Sequence, residues 1–340
     1  MDFKIVLTSW VISRRDIEEF QQKLGAEVIL APSLTEDEII AAAKDADVVA
    51  TLMLPFSRRV IESLPRLRVI YNAGTGFDAI DLEAATEAGI AVAYPGDYCR
   101  EEVADHAIAL TLTLGRKICQ INQVVRKSGW DSFERKAVRR VLPPMYQFRS
   151  QTVGIIGLGR IGQGIAARAR GVGFRVLGHD PYLPDHVFEE MGIFKADLKE
   201  LLANSDYVIL QAAFTKGAHH LIGKEQLALM KPSACLINTA RGSLVDQTAL
   251  YKALKAGQIG GAALDVMEEE LTGITEDHPL LTLDNVIITG HSAFYSEQSN
   301  LKYRERMFEA FASAMGGQCP DWIVNSEVRD EFNRRWHKPA

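Results

Sequence analysis

What is scarce in this chain of 340 residues narrows its class first. It carries only 4 cysteines, Cys99, Cys119, Cys235 and Cys319, with no CxxC pair and no His/Cys cluster. That spacing argues against a disulfide framework and against a metal centre, and suits reduced, mostly buried thiols in a cytoplasmic protein. No apolar run approaches the roughly 18 residues that a membrane span requires. The opening MDFKIVLTSW lacks the basic-then-apolar order of a signal peptide. Positive charge is not in excess: 38 Lys and Arg stand against 44 Asp and Glu, a net charge of −6, which leaves no footprint for nucleic acid. Internal repeats and low-complexity segments are absent too, which removes solenoids and disordered arrays. What remains is an ordinary globular chain, 47% hydrophobic and 24% charged, with a length that suits about two domains.

Against that plain background one stretch stands out, TVGIIGLGRIGQGIAARARGVGFRVLGHD at 152–180. It reads as an apolar strand at 153–156, a turn with Gly157, Gly159 and Gly162, a helix, a second strand at 174–177, and Asp180 at its end. Gly157 allows a tight turn, Gly159 lets the backbone approach a pyrophosphate, and Gly162 lets the helix lie close to the strand before it. The helix start then aims free N–H groups and a positive dipole end at phosphates. Asp180 suits ribose hydroxyls and repels a 2′-phosphate, so the expected cofactor is NAD, with Arg175 and His179 as nearby cationic groups that could offset it.

The first hundred residues alternate short Val/Ile-rich runs (FKIVLT, EVIL, DVVATL, RVIY, IAVAY) with amphipathic segments such as 16–24 and 36–44. That alternation predicts parallel strands with crossover helices but no second dinucleotide fingerprint. The turn at 72–78, NAGTGFD, follows a strand and could offer backbone N–H groups to a small carboxylate. From Glu101 to Lys127 one long helical pattern, with Asp105 and His106 near its start, is apolar around much of its circumference, as expected of a helix buried between layers or against another subunit. The segment 128–150 breaks it with Gly129, Pro143, Pro144 and a basic group at 135–140, a length of loop that is usually functional or an interface. Strand candidates resume at 206–211, 234–239, 261–266 and 285–290, with helices or turns at 185–192, 223–231 and 246–256. The final forty residues read as a helix at 296–311 followed by a polar tail. The expected fold is α/β, with two doubly wound parallel-sheet domains and a cleft between them: an outer domain of residues 1–101 and 294–340, into which residues 102–293 are inserted.

Three ionisable residues fall just past the carboxyl ends of successive predicted strands, where open α/β sheets bind ligands: Arg241, Glu270 and His291. Together they suit hydride transfer to a 2-oxo acid. Arg241 can hold carboxylate and ketone oxygens in its planar fork. His291 can give or take the proton, and Glu270 can orient the imidazole and favour its charged form. No nucleophile or metal is needed.

At these positions the sequence resembles the D-isomer-specific 2-hydroxyacid dehydrogenase family, and within it the C-terminal-binding-protein-like branch. The matching motifs are GIIGLGRIGQ (154–163), the long segment 219–266 ending in GAALDV, and HSAFYSEQS (291–299). The resemblance implies a flavodoxin-like substrate domain and a Rossmann NAD-binding domain, a small 2-oxo or 2-hydroxy acid substrate, and a homodimer formed through the NAD-binding domain. It assigns catalysis to Arg241, Glu270 and His291. It assigns cofactor contacts to the loop of Gly157, Gly159, Arg160, Ile161 and Gly162, to Asp180, Ala212 and Thr239, and to Asp265, which would hold the nicotinamide carboxamide. Thr75 and Gly76 match the loop that binds the substrate carboxylate. Leu271 and Gly290 stand where the family commonly has prolines, which is expected to loosen the backbone beside Glu270 and His291. Phe294 replaces the tryptophan of the corepressor members, Thr75 replaces the lysine of the phosphite dehydrogenases, and Glu270 differs from the amide of the formate dehydrogenases. An alternative function is an NAD(H)-sensing, corepressor-like interaction protein with little turnover.

Overall fold

The computed structural model describes residues 3–9, 12–130, 136–214, 216–270 and 272–336. The chain divides into two compact units, one made of Met1–Tyr98 with Ser296–Ala340, the other of Cys99–Tyr295.

In the first unit the Val/Ile-rich runs become β1 (Lys4–Leu7), β2 (Glu27–Leu30), β3 (Val48–Thr51), β4 (Val69–Asn72) and β5 (Ala91–Ala93). They form one parallel sheet in the order β2-β1-β3-β4-β5, the flavodoxin-like arrangement. β3 and β4 are buried at every residue, as expected of strands covered on both faces. Local chemistry sets the helix ends. The helix Arg14–Leu24 starts at a capping box between Ser13 and Asp16 and stops at Gly25, whose φ of +62° is left-handed. The long helix Glu297–Met315 belongs to the same unit, where Phe311 meets Phe20 and Tyr71 edge-on at 6.0 and 5.6 Å. The last segment is more than a polar tail. A further helix, Arg329–Trp336, buries Phe332 completely and brings Trp336 under Arg68, at 4.1 Å, so one apolar side chain and a cation–π contact hold a mainly charged segment to the unit.

The second unit holds β6 (Thr152–Ile156), β7 (Arg175–His179), β8 (Phe194–Lys195), β9 (Tyr207–Leu210), β10 (Cys235–Asn238), β11 (Gly261–Leu264) and β12 (Val286–Ile288). All neighbours are parallel, in the order β12-β11-β10-β9-β6-β7-β8. From β6 the chain first builds outward to β8, then returns to place β9 on the other side of β6. That reversal is the switch point at which such sheets receive ligands. Alternate strand residues feed two cores: Val208, Leu210, Leu236 and Leu264 on one face, Ile155, Ile209, Ile237 and Ala263 on the other. β8, an edge strand of two residues, is too short to show in a sequence pattern.

The single helix expected over 101–127 is two helices, Arg100–Gly115 and Ile118–Ser128, separated by Lys117 in the left-handed region at φ +50°. Gly115, the last residue of the first helix, is tightly packed. A Cβ there would lie 2.4 Å from the Tyr207 hydroxyl and 2.7 Å from the Phe148 ring, so the end of the first helix runs tight against these two side chains. The first helix buries Val103, Ala104, Ala107, Ile108 and Leu110, whereas the second buries no residue. Lys117 Nζ donates to the carbonyls of Val141 and Pro143, pinning the following loop. Arg135 of the basic group lies outside the described residues. Of the four thiols, Cys99 and Cys319 are buried and Cys235 is half-buried, but Cys119 is exposed because it sits on that second helix. Among the described residues no helix is long and apolar enough to cross a membrane.

Candidate active site

The glycine-rich turn is built by close backbone approach. Gly157, at φ +93°, lies so near the end of β9 that a Cβ on it would fall 2.6 Å from the Ala212 Cα. A Cβ on Gly162 would fall 2.1 Å from the Gly157 carbonyl oxygen, so only glycine lets the helix Arg160–Val172 begin this close to the turn. Gly159 is the N-cap of that helix, and a Cβ there would meet nothing within 4 Å. Arg160 and Ile161 form its first turn. The loop therefore combines a tight backbone fold with an open approach to a helix N-terminus, which fits a pyrophosphate.

Asp180 follows β7 and faces this loop: its Oδ2 accepts the Leu158 N–H at 2.9 Å and its Oδ1 the Tyr182 N–H at 3.0 Å. The two nearby cationic candidates are engaged elsewhere. The Arg175 guanidinium lies over the Phe194 ring at 4.8 Å, and His179 Nδ1 is 3.0 Å from the Ala196 carbonyl. Ala212 lies just past the end of β9. Thr239 follows β10 and donates from Oγ1 to the Gln211 side chain at 2.9 Å, tying the carboxyl ends of β9 and β10 together.

The ionisable residues leave the same edge of the sheet. β10, β11 and β12 are adjacent, with Asn238 in register with Leu264 and Leu264 with Ile288. Arg241 comes three residues after Asn238, Glu270 six after Leu264, and His291 three after Ile288. The Arg241 turn is held by the Asn238 amide, which donates to the Arg241 carbonyl at 2.8 Å, and Arg241 Nη1 donates to the Ala240 carbonyl at 2.7 Å. The next residue, Gly242, lies against the segment leading to Glu270, since a Cβ on it would fall 2.1 Å from the Met267 carbonyl carbon. The His291 Nδ1 is 3.1 Å from Glu270 Oε2, with the two side chains 38% and 18% exposed, so the pair is reachable from solvent but its carboxylate is largely shielded. Phe294 stands edge-on to the imidazole, with ring centroids 6.2 Å apart.

Asp265, 2% exposed, organises the loop that carries His291. Its Oδ1 accepts from Thr289 Oγ1 at 2.6 Å and from the Ser292 N–H at 2.9 Å, its Oδ2 from the Ala293 N–H at 3.1 Å, and its carbonyl from the His291 N–H at 2.6 Å. His106 Nε2 completes the group, 3.0 Å from Thr289 Oγ1 and 3.6 Å from Asp265 Oδ1. A buried carboxylate with that many donors holds its loop firmly. Thr289 and the pairing of His106 with it carry no sequence signal, because the partners lie 183 residues apart.

Where the resemblance leads to the expectation of a proline before His291, the backbone takes a specific form. Gly290 and His291 both adopt left-handed backbone, at φ +60° and +56°. Proline, locked near −65°, cannot take that conformation, so the shape of the loop excludes proline here and favours glycine. Leu271 lies outside the described residues. In the first unit, the Asn72 side-chain amide donates to the carbonyls of Gly74 and Gly76 at 2.7 and 2.9 Å. In planar trans peptides this turns the N–H groups of Thr75 and Phe77 the opposite way. Thr75 and Gly76 thus sit in a turn braced by Asn72, with the N–H groups of Thr75 and Phe77 directed away from the Asn72 amide.

Residues 108–293 match the family model described as D-isomer specific 2-hydroxyacid dehydrogenase, NAD binding domain. A glyoxylate reductase of Korarchaeum cryptofilum is 38% identical over 291 residues, which is 85% of this chain and 86% of that one. A D-3-phosphoglycerate dehydrogenase of Methanocaldococcus jannaschii is 40% identical over 88% of this chain, but the chain spans only 55% of that protein's length. Among solved structures, a D-lactate dehydrogenase from Aquifex aeolicus complexed with NAD and lactic acid is similar, with a TM-score of 0.81 and 30% identity over 95% of this chain and 99% of that one. With its two parallel-sheet units, its nucleotide loop and this similarity, the chain belongs to the D-isomer specific 2-hydroxyacid dehydrogenase family and is an NAD-dependent dehydrogenase.

Proposed function

We propose that this enzyme reduces small 2-oxo acids to D-2-hydroxy acids, glyoxylate-sized substrates among them, and runs the reverse oxidation. The observation that carries the reading is the His291–Glu270 pair at 3.1 Å, in the same unit as the nucleotide loop and on the strand edge shared with Arg241. NADH, when bound, supplies a hydride to the carbonyl carbon. His291 supplies the proton that the former oxo oxygen needs. Its Nδ1 is directed at Glu270, which leaves Nε2 as the nitrogen that faces substrate, and Glu270 holds that orientation. Arg241 takes the substrate carboxylate and polarises the adjacent carbonyl through its fork of donors. Asp180 selects NADH by accepting ribose hydroxyls and repelling a 2′-phosphate.

The chain is further proposed to act as a homodimer through its second unit, which exposes the large apolar side chains Ile118, Trp130 and Tyr146. Sedimentation at micromolar concentration that shows only a monomer removes that part.

The activity is tested with glyoxylate, hydroxypyruvate, pyruvate, and branched and aromatic 2-oxo acids, with NADH oxidation followed by absorbance. Turnover of one or more is expected, with a D-configured product where the product is chiral. A folded protein that binds NADH and reduces none of them overturns the assignment and favours a nucleotide-sensing role. Glyoxylate reductase relatives make glyoxylate the first substrate to try.

A further inference from the structure

Outside the groups used above, two adjacent histidines on the turn after β9 meet a carboxylate from the turn after β11. His219 Nε2 is 3.2 Å from Glu268 Oε1, and His220 Nε2 is 3.2 Å from both Glu268 oxygens. The three potential ligand atoms all lie within 4.8 Å of one another. Neighbouring residues in extended chain point to opposite sides. Here they do not, because His220 sits in the left-handed region at φ +51°, a conformation that costs a non-glycine residue on the order of 1 kcal/mol or more. It is held there by its N–H, which donates to the Ser243 carbonyl at 2.8 Å. The two rings consequently stack, with centroids 3.8 Å apart and planes at 28°, and present both Nε2 atoms to the same carboxylate.

We propose that His219, His220 and Glu268 form a site for a divalent transition-metal ion of the zinc type. Two imidazoles and one carboxylate are a donor set that such ions favour, and three protein ligands leave a position for water. Tetrahedral zinc with bonds of about 2.0–2.1 Å sets its ligands about 3.3 Å apart, close to the nitrogen–oxygen separations already present. The site is reachable, with side-chain exposures of 50%, 35% and 32%. It also joins two segments that matter. The His220 N–H is bonded to the turn that begins at Arg241, and Glu268 is two residues before Glu270. An ion held by all three side chains clips these turns together.

The test uses the full chain, stripped with a chelator and desalted, then titrated with Zn²⁺ by calorimetry and with Co²⁺ by visible absorption. One ion per chain is expected, with Co²⁺ giving the d–d bands of low coordination and Zn²⁺ raising the melting temperature. The double variant His219→Ala/His220→Ala is expected to lose more affinity than the roughly 10–100-fold that loss of an outer partner costs. Glu268→Gln should weaken binding in the same direction, and it serves alone if the double variant does not fold. His291→Ala and Cys119→Ser, which each remove a solvent-reachable donor outside the proposed site, should bind as the wild type does. The proposal is overturned if the wild-type chain takes up no ion, if the histidine or Glu268 variants bind as tightly as wild type, or if His291→Ala or Cys119→Ser abolishes uptake.

Discussion

The Nδ1 of His291 and the Oε2 of Glu270 lie 3.1 Å apart, although 21 residues separate them in sequence. The contact directs one ring nitrogen inward and frees the other. His291→Ala is therefore expected to lower kcat by about 10²–10⁴-fold while leaving NADH affinity unchanged, because the imidazole acts on the oxo group. Glu270→Gln should lower kcat less, since an amide can still orient the ring. Steady-state kinetics with an NADH titration checks both, and wild-type kcat in His291→Ala would remove the residue from its role.

Asp180 presents its carboxylate to the glycine-rich turn and bonds the Leu158 N–H. Asp180→Ala should weaken NADH binding about tenfold or more, the scale of a lost charged hydrogen bond, and narrow the preference over NADPH. Fluorescence titration with both coenzymes measures the ratio. An unchanged ratio would assign the preference to another residue.

Gly162 has no room for a side chain, since a Cβ would sit 2.1 Å from the Gly157 carbonyl oxygen. Gly162→Ala must push the helix away from the turn, at an expected cost of about 1–3 kcal/mol in stability. NADH affinity should fall with it. Chemical denaturation and coenzyme titration of the same variant read the two effects. Gly159→Ala, which meets nothing within 4 Å in the protein, should leave stability nearly unchanged while impairing coenzyme binding.

Gly290 has φ +60°, which asparagine tolerates and proline cannot adopt. Gly290→Pro is expected to reduce kcat and the melting temperature together, because it reshapes the loop beneath His291. Gly290→Asn should retain most of both. Equal activity in the two variants would show that this backbone conformation is dispensable.

Burial pushes the Cys235 thiol up to about 12 and the Cys319 thiol up to about 11, while Cys119 is exposed. At pH 8 iodoacetamide should modify Cys119 rapidly and the others only on unfolding. Both raised values lie above the ordinary 9.0, so the folded chain holds these protons more tightly than the unfolded one. Their contribution to stability is then complete below pH 9 and is lost as pH rises from 9 toward 11 and 12. A denaturation midpoint that rises over that interval would contradict this account.

Much of the architecture was readable residue by residue, because the relevant physics is local. Runs such as DVVATL and DYVILQ have one stable use, as strands buried on both faces, and the fingerprint at 157–162 needs glycine for reasons of backbone shape that neighbours in sequence already imply. Arg241, Glu270 and His291 could be picked out because each follows a strand, and residues at strand ends emerge together once parallel strands align. Contacts across long sequence separations were decided only by folding. The close packing of Gly115 against Tyr207 and Phe148 joins residues far apart along the chain. The bracing of the His291 loop by Asp265, Thr289 and His106 depends on a helix and a strand end meeting. The gathering of His219 and His220 around Glu268 depends on a left-handed residue and on the packing of two turns. Sequence by itself determined the elements and the kinds of chemistry available, since propensity, burial pattern and glycine geometry act over a few residues. Which side chains converge was left to tertiary structure, because distances between remote groups are set by how the sheets and helices pack.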